Sequence, residues 1–353
     1  MDLRAIAASS IRENRLLLVL VGAYLVAAWV VAGLYGIDLR FRLYSRVWFA
    51  SAALLYWSLL LIATGAAALR AWPTSLSTLL PNLYLRRWRL PERIGMALPV
   101  FLILPPMFAA YTSIKHAIPT LNPTFIDAVL IDLDVALHGR HPWELLQPVF
   151  GSVFATEVID TVYLSWFVVK FAIVSLVAGW LSRTALRRQY LLTFAVTWIV
   201  LGTISAILFA SVGPCYLSIF VPGEAAAFAP LMDGLRAIDV VHDLFSIGAQ
   251  DLLLSDHQAA APGFGRGISA MPSLHVAIAM LNAILGWKLS RLWGALATVY
   301  LAAILLGSVH LGWHYAVDGY FSMIAVSVIW VLVGRFVHAR GAVALQLTPR
   351  EAR

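Results

Sequence analysis

Long apolar runs alternate with short polar gaps along this chain, and the runs have the length of a membrane crossing. A hydrocarbon core about 30 Å thick takes about 20 helical residues, because each residue advances a helix by about 1.5 Å. Runs of that kind fall at roughly 16–36, 47–69, 94–114, 159–181, 190–212, 273–289, 292–312 and 315–338. They predict an all-α integral membrane protein, an eight-span helical bundle. Two gaps exceed what a simple connector needs. In 115–158, Pro119 and Pro123 precede Leu137-His138-Gly139-Arg140-His141-Pro142-Trp143, which reads as a capped turn leading into a short helix. In 213–272, Ala227-Phe228-Ala229-Pro230-Leu231-Met232 and Val240-Val241-His242-Asp243-Leu244-Phe245 are patterned like amphipathic helices that lie on a membrane and roof a site.

The charges in the gaps orient the bundle. Arg4, Arg12 and Arg15 precede the first run, and Arg70, Arg86, Arg87, Arg89 and Arg93 follow the second. Arg183, Arg187 and Arg188 join the fourth to the fifth, Lys288 and Arg291 the sixth to the seventh, and Arg335, Arg340, Arg350 and Arg353 gather at the end. All of these fall on one side, which the positive-inside rule makes cytoplasmic, together with both termini. The opposite gaps carry Asp127, Asp132, Asp134, Glu144 and Glu157, then Glu224, Asp233, Asp239, Asp243, Asp251 and Asp256, and are expected to face a periplasm or lumen. Arg40, Arg42 and Arg46 disagree: either they meet anionic headgroups outside, or the first two spans are misdrawn.

Composition agrees with a membrane protein, at 61% hydrophobic and 12% charged residues and a mean hydropathy of +0.84. The formal charge of +7 is accounted for by topology and lipid contact, and no basic tract for nucleic acid is present. A single cysteine, Cys215, excludes an internal disulfide and a cysteine-based metal cluster, and reads as a free buried thiol. The segment before the first run leads into an apolar stretch too long for a signal peptide, so it is expected to be retained.

Two polar stretches interrupt this pattern where late spans begin. Met271-Pro272-Ser273-Leu274-His275 opens the sixth run, and His310-Leu311-Gly312-Trp313-His314-Tyr315-Ala316-Val317-Asp318 opens the eighth. Ionisable groups at such depth are costly and point to function. On a helix His314 and Asp318 share one face, so the carboxylate can orient the imidazole as a nucleophile or base, and His275 can supply an acid. The alternative makes His314 and Asp318 a structural staple and His275 a helix cap. The topology brings both stretches to one depth at one face, where the free N–H groups of Pro272-Ser273-Leu274 would suit an anion such as phosphate.

These residues resemble the type 2 phosphatidic acid phosphatase superfamily, with second motif P-S-G-H and third motif S-R-x5-H-x3-D. The likeness is closer to the branch of fungal inositol phosphorylceramide synthases, inositolphosphotransferases with P-S-L-H and H-Y-x-x-D. Pro272-Ser273-Leu274-His275 and His314-Tyr315-Ala316-Val317-Asp318 match that branch, and Gly213-Pro214-Cys215-Tyr216 resembles its G-P-x-Y, although a routine helix terminator reads the same way. The resemblance covers 94–338. It implies a six-span phosphatidic-acid-phosphatase-like catalytic core at 94–340, two extra spans and a cytoplasmic loop at 1–93, and a cytoplasmic tail at 341–353. It also implies that His314 forms a phosphohistidine, Asp318 fixes its ring and His275 protonates the leaving oxygen.

The departures bear on the substrate. The third-motif arginine position holds Ser308, the serine before it is Gly307, and no K-x6-R-P first motif exists. Without those cations, vanadate chemistry of the vanadium haloperoxidase kind is disfavoured, and a singly charged phosphodiester fits better than a monoester. Candidate substitutes are Arg266, His310 and Lys170, of which Lys170 is intramembrane and must pair or snorkel. Ser273 either donates to a phosphate oxygen or caps its helix, and the two roles are compatible. Trp313, Tyr315 and Tyr320 read first as an interfacial belt and second as a wall of the site.

The expected function is a membrane-embedded lipid phosphotransferase that moves a phosphate or an inositol-phosphate-like head group through His314 to an acceptor alcohol on a phospholipid or sphingolipid. With water as acceptor it would be a phosphatase for phosphatidic acid or a polyprenyl phosphate. A lipid transporter or scramblase, a remoter reading, would spread its polar residues along a path across the membrane. No cofactor and no metal is implied, since His310, His314 and Asp318 at i, i+4 and i+8 would strain around one ion.

Overall fold

The computed structural model describes residues 3–39, 41–71, 75–259 and 267–347, and these residues form helices and connectors without a strand. The principal helices are α1 (Leu3–Tyr35), α2 (Phe41–Arg70), α3 (Leu90–His116), α4 (Asp127–His138), α5 (Pro142–Phe150) and α6 (Val153–Ala178). They continue with α7 (Thr184–Ile199), α8 (Ala229–His242), α9 (Phe245–Gln258), α10 (Leu274–Leu289), α11 (Arg291–His310) and α12 (Ala316–Leu347). Among the described residues, seven helical stretches are long and apolar enough to cross a membrane: α1, α2, α3, α6, α7 with its continuation to Leu208, α11 and α12. Such helices mark a multi-pass membrane protein.

The run at 273–289 differs from the other seven: α10 has only 16 residues, about 24 Å of helix at 1.5 Å per residue. Its surroundings explain the economy. Ten of its residues are buried, and it packs against α6, α7, α11 and α12, so it is an inner helix enclosed by protein. The N-terminal α1 lies along α3 and α7, and α2 packs on α3 and α6. Arg46 falls inside α2, which begins before the apolar run at 47–69, while Arg40 lies outside the described residues.

Arg187, expected in a cytoplasmic loop, is instead buried in the first turn of α7. Its guanidinium donates to the Ala178 carbonyl at 2.9 Å, to Asn14 Oδ1 at 2.7 Å and to the Met96 carbonyl at 3.1 Å, joining α6, α1 and α3. The long side chain lets a charge rooted near a helix start reach three acceptors on three helices, one of which, the Met96 carbonyl, it shares with the Asn14 amide at 3.0 Å. At its other end α7 widens into a π turn over Val200–Ser205, where Thr203 meets the Tyr24 hydroxyl of α1 at 2.9 Å.

The two long gaps fold into helices. The first forms α4 as well as the short helix foreseen after Gly139, whose φ of 78° ends α4 in the left-handed conformation glycine favours. The second forms α8 and α9 as a roof. Asp160 of α6 accepts from the Phe245 and Ser246 amides at 2.7 and 3.0 Å and from the Ser246 hydroxyl, capping α9. Arg236 pairs with Asp251 at 3.0 Å to brace α8 against α9. Leu231 and Leu235 face inward, whereas Val240 is 85% exposed and Val241 74%, the two-sided pattern expected of a surface-lying helix.

Candidate active site

Three connectors meet at the end of the bundle away from Arg187, and between them they place the two motifs. The Ala270 amide donates to the Ser211 carbonyl at 2.9 Å, the Met271 amide to Ser211 Oγ at 2.8 Å, and the Cys215 amide to the Gly312 carbonyl at 2.9 Å. Gly213 has a φ of 83°, and a side-chain carbon there would stand 2.6 Å from the Trp313 carbonyl oxygen. Gly213-Pro214-Cys215-Tyr216 is therefore a junction between connectors as well as a helix terminator. Cys215 is a free, half-buried thiol at this junction.

The first motif opens α10. Ser273 is the N-cap and accepts from the Val276 amide at 3.5 Å, so its observed role is structural. His275 follows in the first turn, its ring 4.1 Å from Trp166, 4.7 Å from Tyr163 and 5.8 Å from Phe167, centroid to centroid. The Trp166 indole also donates to the His275 carbonyl at 3.0 Å. One face of α6 thus holds the imidazole with aromatic surface.

The second motif is not a continuous helix. α11 stops at His310, Gly312 turns the chain at a φ of 72°, and α12 begins at Ala316. His314 sits in the extended link, where its amide and that of Trp313 both donate to the Ser308 carbonyl, at 2.9 and 3.1 Å. His314 Nδ1 lies 3.2 Å from Asp318 Oδ2, and the same oxygen accepts from the Tyr315 amide at 3.2 Å. The pairing expected from a shared helix face arises instead from the acidic half of a capping box, with a carboxylate in the first turn reaching back past the helix start. The ring centroids of His275 and His314 are 6.4 Å apart.

The substitute cations fare differently. His310 does not share a side with His314, because the turn at Gly312 separates them; it is buried with Nε2 3.0 Å from Thr156 Oγ1. Lys170 is buried rather than snorkelling, and among the described residues it meets no carboxylate. Its ammonium lies 4.0 Å from the Trp166 ring centroid and 4.7–5.8 Å from those of Phe171, Phe167, Trp198 and Phe108. Trp166 therefore touches both Lys170 and His275. Arg266 lies outside the described residues. The third-motif positions serve packing: Ser308 is fully buried and donates to the Leu305 carbonyl at 2.7 Å, and a side-chain carbon at Gly307 would stand 3.1 Å from the Tyr163 ring.

Two acidic residues of α4, expected among exterior charges, are buried instead and brace the second motif. Asp134 accepts from the Ala316 and Val317 amides, each at 2.9 Å, and so caps α12 beside His314. Asp127 accepts from the Gly213 amide at 2.9 Å, the Val212 amide at 3.0 Å and the Tyr315 hydroxyl at 2.8 Å. Burial pushes the Asp127 carboxyl above its ordinary range. Burial, with a smaller repulsion from Asp318, brings Asp134 to about 6 against the two amides that favour its charge. Tyr315, read first as part of an interfacial belt, is buried through its bond to Asp127, whereas Tyr320 is half-buried with its hydroxyl 2.9 Å from His138 Nε2. The available signal was the spacing of Asp127, Leu130, Ile131 and Asp134, an inward face at i, i+3, i+4 and i+7.

A family model described as the PAP2 superfamily matches residues 128–344, more than half of the chain and all of both motifs. The chain belongs to the PAP2 superfamily. No curated protein and no solved structure matches it. PAP2 superfamily membership indicates phosphatase or phosphotransferase activity on lipids, which suits an end of a membrane bundle where two imidazoles face each other. Among the described residues no group of His, Cys, Asp and Glu is arranged to hold a metal ion.

Proposed function

We propose that this PAP2 superfamily protein is a lipid phosphotransferase that works through a phosphohistidine on His314. The observation that carries the reading is the His314 ring: Nδ1 is engaged by Asp318 at 3.2 Å, and the His275 ring stands 6.4 Å away, centroid to centroid, near enough for both to act on one phosphoryl group. With Nδ1–H donating to the carboxylate, the lone pair of His314 lies on Nε2, the atom that attacks. Attack on phosphorus breaks the bond to the lipid oxygen while His275 delivers a proton to that oxygen. An acceptor hydroxyl then attacks the phosphohistidine, His275 takes the hydroxyl proton, and the phosphorus–nitrogen bond breaks. Asp318 orients the ring and stabilises its positive charge.

The branch we favour is that of the inositolphosphotransferases, on the strength of the Leu274 and Tyr315 positions within the two motifs and of Gly213-Pro214-Cys215-Tyr216. The head group is accordingly an inositol-phosphate-like phosphodiester, and the acceptor a lipid alcohol of the ceramide or diacylglycerol kind. We place the site at the exterior face, both termini in the cytoplasm, and the catalytic unit at 94–340, with Val240, Val241 and Phe245 resting on the outer leaflet. Purified protein incubated with labelled phosphatidylinositol, phosphatidic acid and ceramide, with products separated by head group, is expected to yield inositol phosphate on the acceptor lipid. Release of inorganic phosphate from phosphatidic acid alone would replace transfer with hydrolysis.

A further inference from the structure

A lipid phosphate entering this site brings negative charge into a region with few cations. Taking it out of water uncompensated would cost several kcal/mol. Of the chain's three lysines, Lys170 stands on α6 over Trp166, whose ring touches His275, and Lys115 stands near the C-terminal end of α3. Lys170 is buried, and five aromatic rings surround its head, so it acts on the site through Trp166. Lys115 is different. It is half-buried near the C-terminal end of α3, and among the described residues no carboxylate or other acceptor bonds to it.

Its neighbours place it beside the first motif. Gly267, in the connector leading to Ser273 and His275, has a φ of 139°, and a side-chain carbon there would stand 3.0 Å from Lys115 Cγ. One turn before Lys115 on the same face of α3, the Tyr111 ring and Leu274 crowd the same spot over Gly202, at 2.8 and 3.0 Å from a side-chain carbon built there. Glycine at 267 is thus what lets the connector lie flat against the lysine stem, and the ammonium is carried to the side of the site where α10 begins.

We propose that Lys115 is the cation that receives the lipid phosphate, and that this one contacting charge selects a singly charged phosphodiester over a phosphate monoester. The inference rests on the phosphotransferase reading above and adds the group that holds the substrate anion. A half-buried ammonium beside the connector into α10 suits binding of the donor before His314 attacks.

The test uses the full chain in lipid nanodiscs. K115M is expected to raise KM for phosphatidylinositol, and the inhibition constant of orthovanadate, by about tenfold or more, with kcat changed far less. K115R keeps both within about threefold. In the wild-type protein, orthovanadate should protect Lys115 from an amine-acylating reagent read by mass spectrometry, an arm independent of whether K115M folds. Unchanged KM and vanadate inhibition in K115M, or the same losses in R266A with none in K115M, would overturn the assignment while leaving the reaction intact. Wild-type protein that turns over no phospholipid and shows no protection would instead remove the reading on which the assignment stands.

Discussion

Two buried polar clusters sit at opposite ends of α7, and they spend their hydrogen bonds differently. At one end Arg187 ties Ala178, Asn14 and Met96 together, so its bonds fasten α6, α1 and α3 to one another. At the other, Asp127, Asp134 and Asp318 spend theirs on the backbone and side chains around His314, whose ring Asp318 engages 6.4 Å from the His275 ring, centroid to centroid. Burial of a charge alone therefore does not mark a reactive site in this bundle. What distinguishes the proposed site is a bond that fixes the His314 ring through Nδ1, with no bond to its other nitrogen among the described residues.

The contrast breaks most sharply under paired substitutions. H314A is expected to lower kcat by about a thousandfold or more, with thermal stability close to wild type. R187M is expected to do the reverse, losing about 2–4 kcal/mol of stability while folded molecules keep their kcat. Urea melts and turnover measured on the same preparations check both; a stable, inactive R187M protein would erase the distinction. Next in size, D318N leaves the ring in place but disturbs its tautomer, and a loss of about a hundredfold or more in kcat is expected, with lipid KM little changed.

Asp134 sharpens the comparison through pH. Its carboxyl is raised by burial to about 6 from an ordinary 3.8, so ionising it costs the fold: its contribution to stability is most favourable below the ordinary value and declines as pH rises through about 6. Activity should move the opposite way, because the ionised carboxylate is what accepts the Ala316 and Val317 amides beside His314. Turnover is expected to fall as pH drops through about 6, and D134N, which resembles the protonated form, should lose about tenfold at neutral pH and flatten that limb. An unaltered pH profile in D134N would detach Asp134 from the site. The smallest effect is expected for Y315F, about 1 kcal/mol of stability and a few-fold in kcat, since it removes one bond to Asp127 that two amides still share.

Much of the bundle was legible because its determinants are local. Apolar run lengths pointed to the long helices, and type and spacing marked His275, His314 and Asp318 as candidates. What escaped depended on contacts distant in sequence. Lys170 finds its partners on three helices, α3, α6 and α7, and they are aromatic rings in place of a carboxylate. His310 would share a side with His314 only if the helix ran through Gly312, and the turn there leaves it a hydrogen-bonding histidine instead. Asp127 and Asp134 looked like exterior charge because their spacing with Leu130 and Ile131 marks an inward face of α4 without naming what it meets, Gly213 and Ala316, 86 and 182 positions away in sequence.

The central claim, that His314 carries the phosphoryl group between lipids, is tested most directly by trapping. Full-length protein is mixed with donor lipid labelled at phosphorus, quenched in alkali within the first turnover, digested and read by mass spectrometry. The account predicts an acid-labile, alkali-stable phosphohistidine at His314 in the wild type and none in H314A. Label on any other residue, or wild-type turnover with no labelled protein at any quench time while acceptor is withheld, would contradict it.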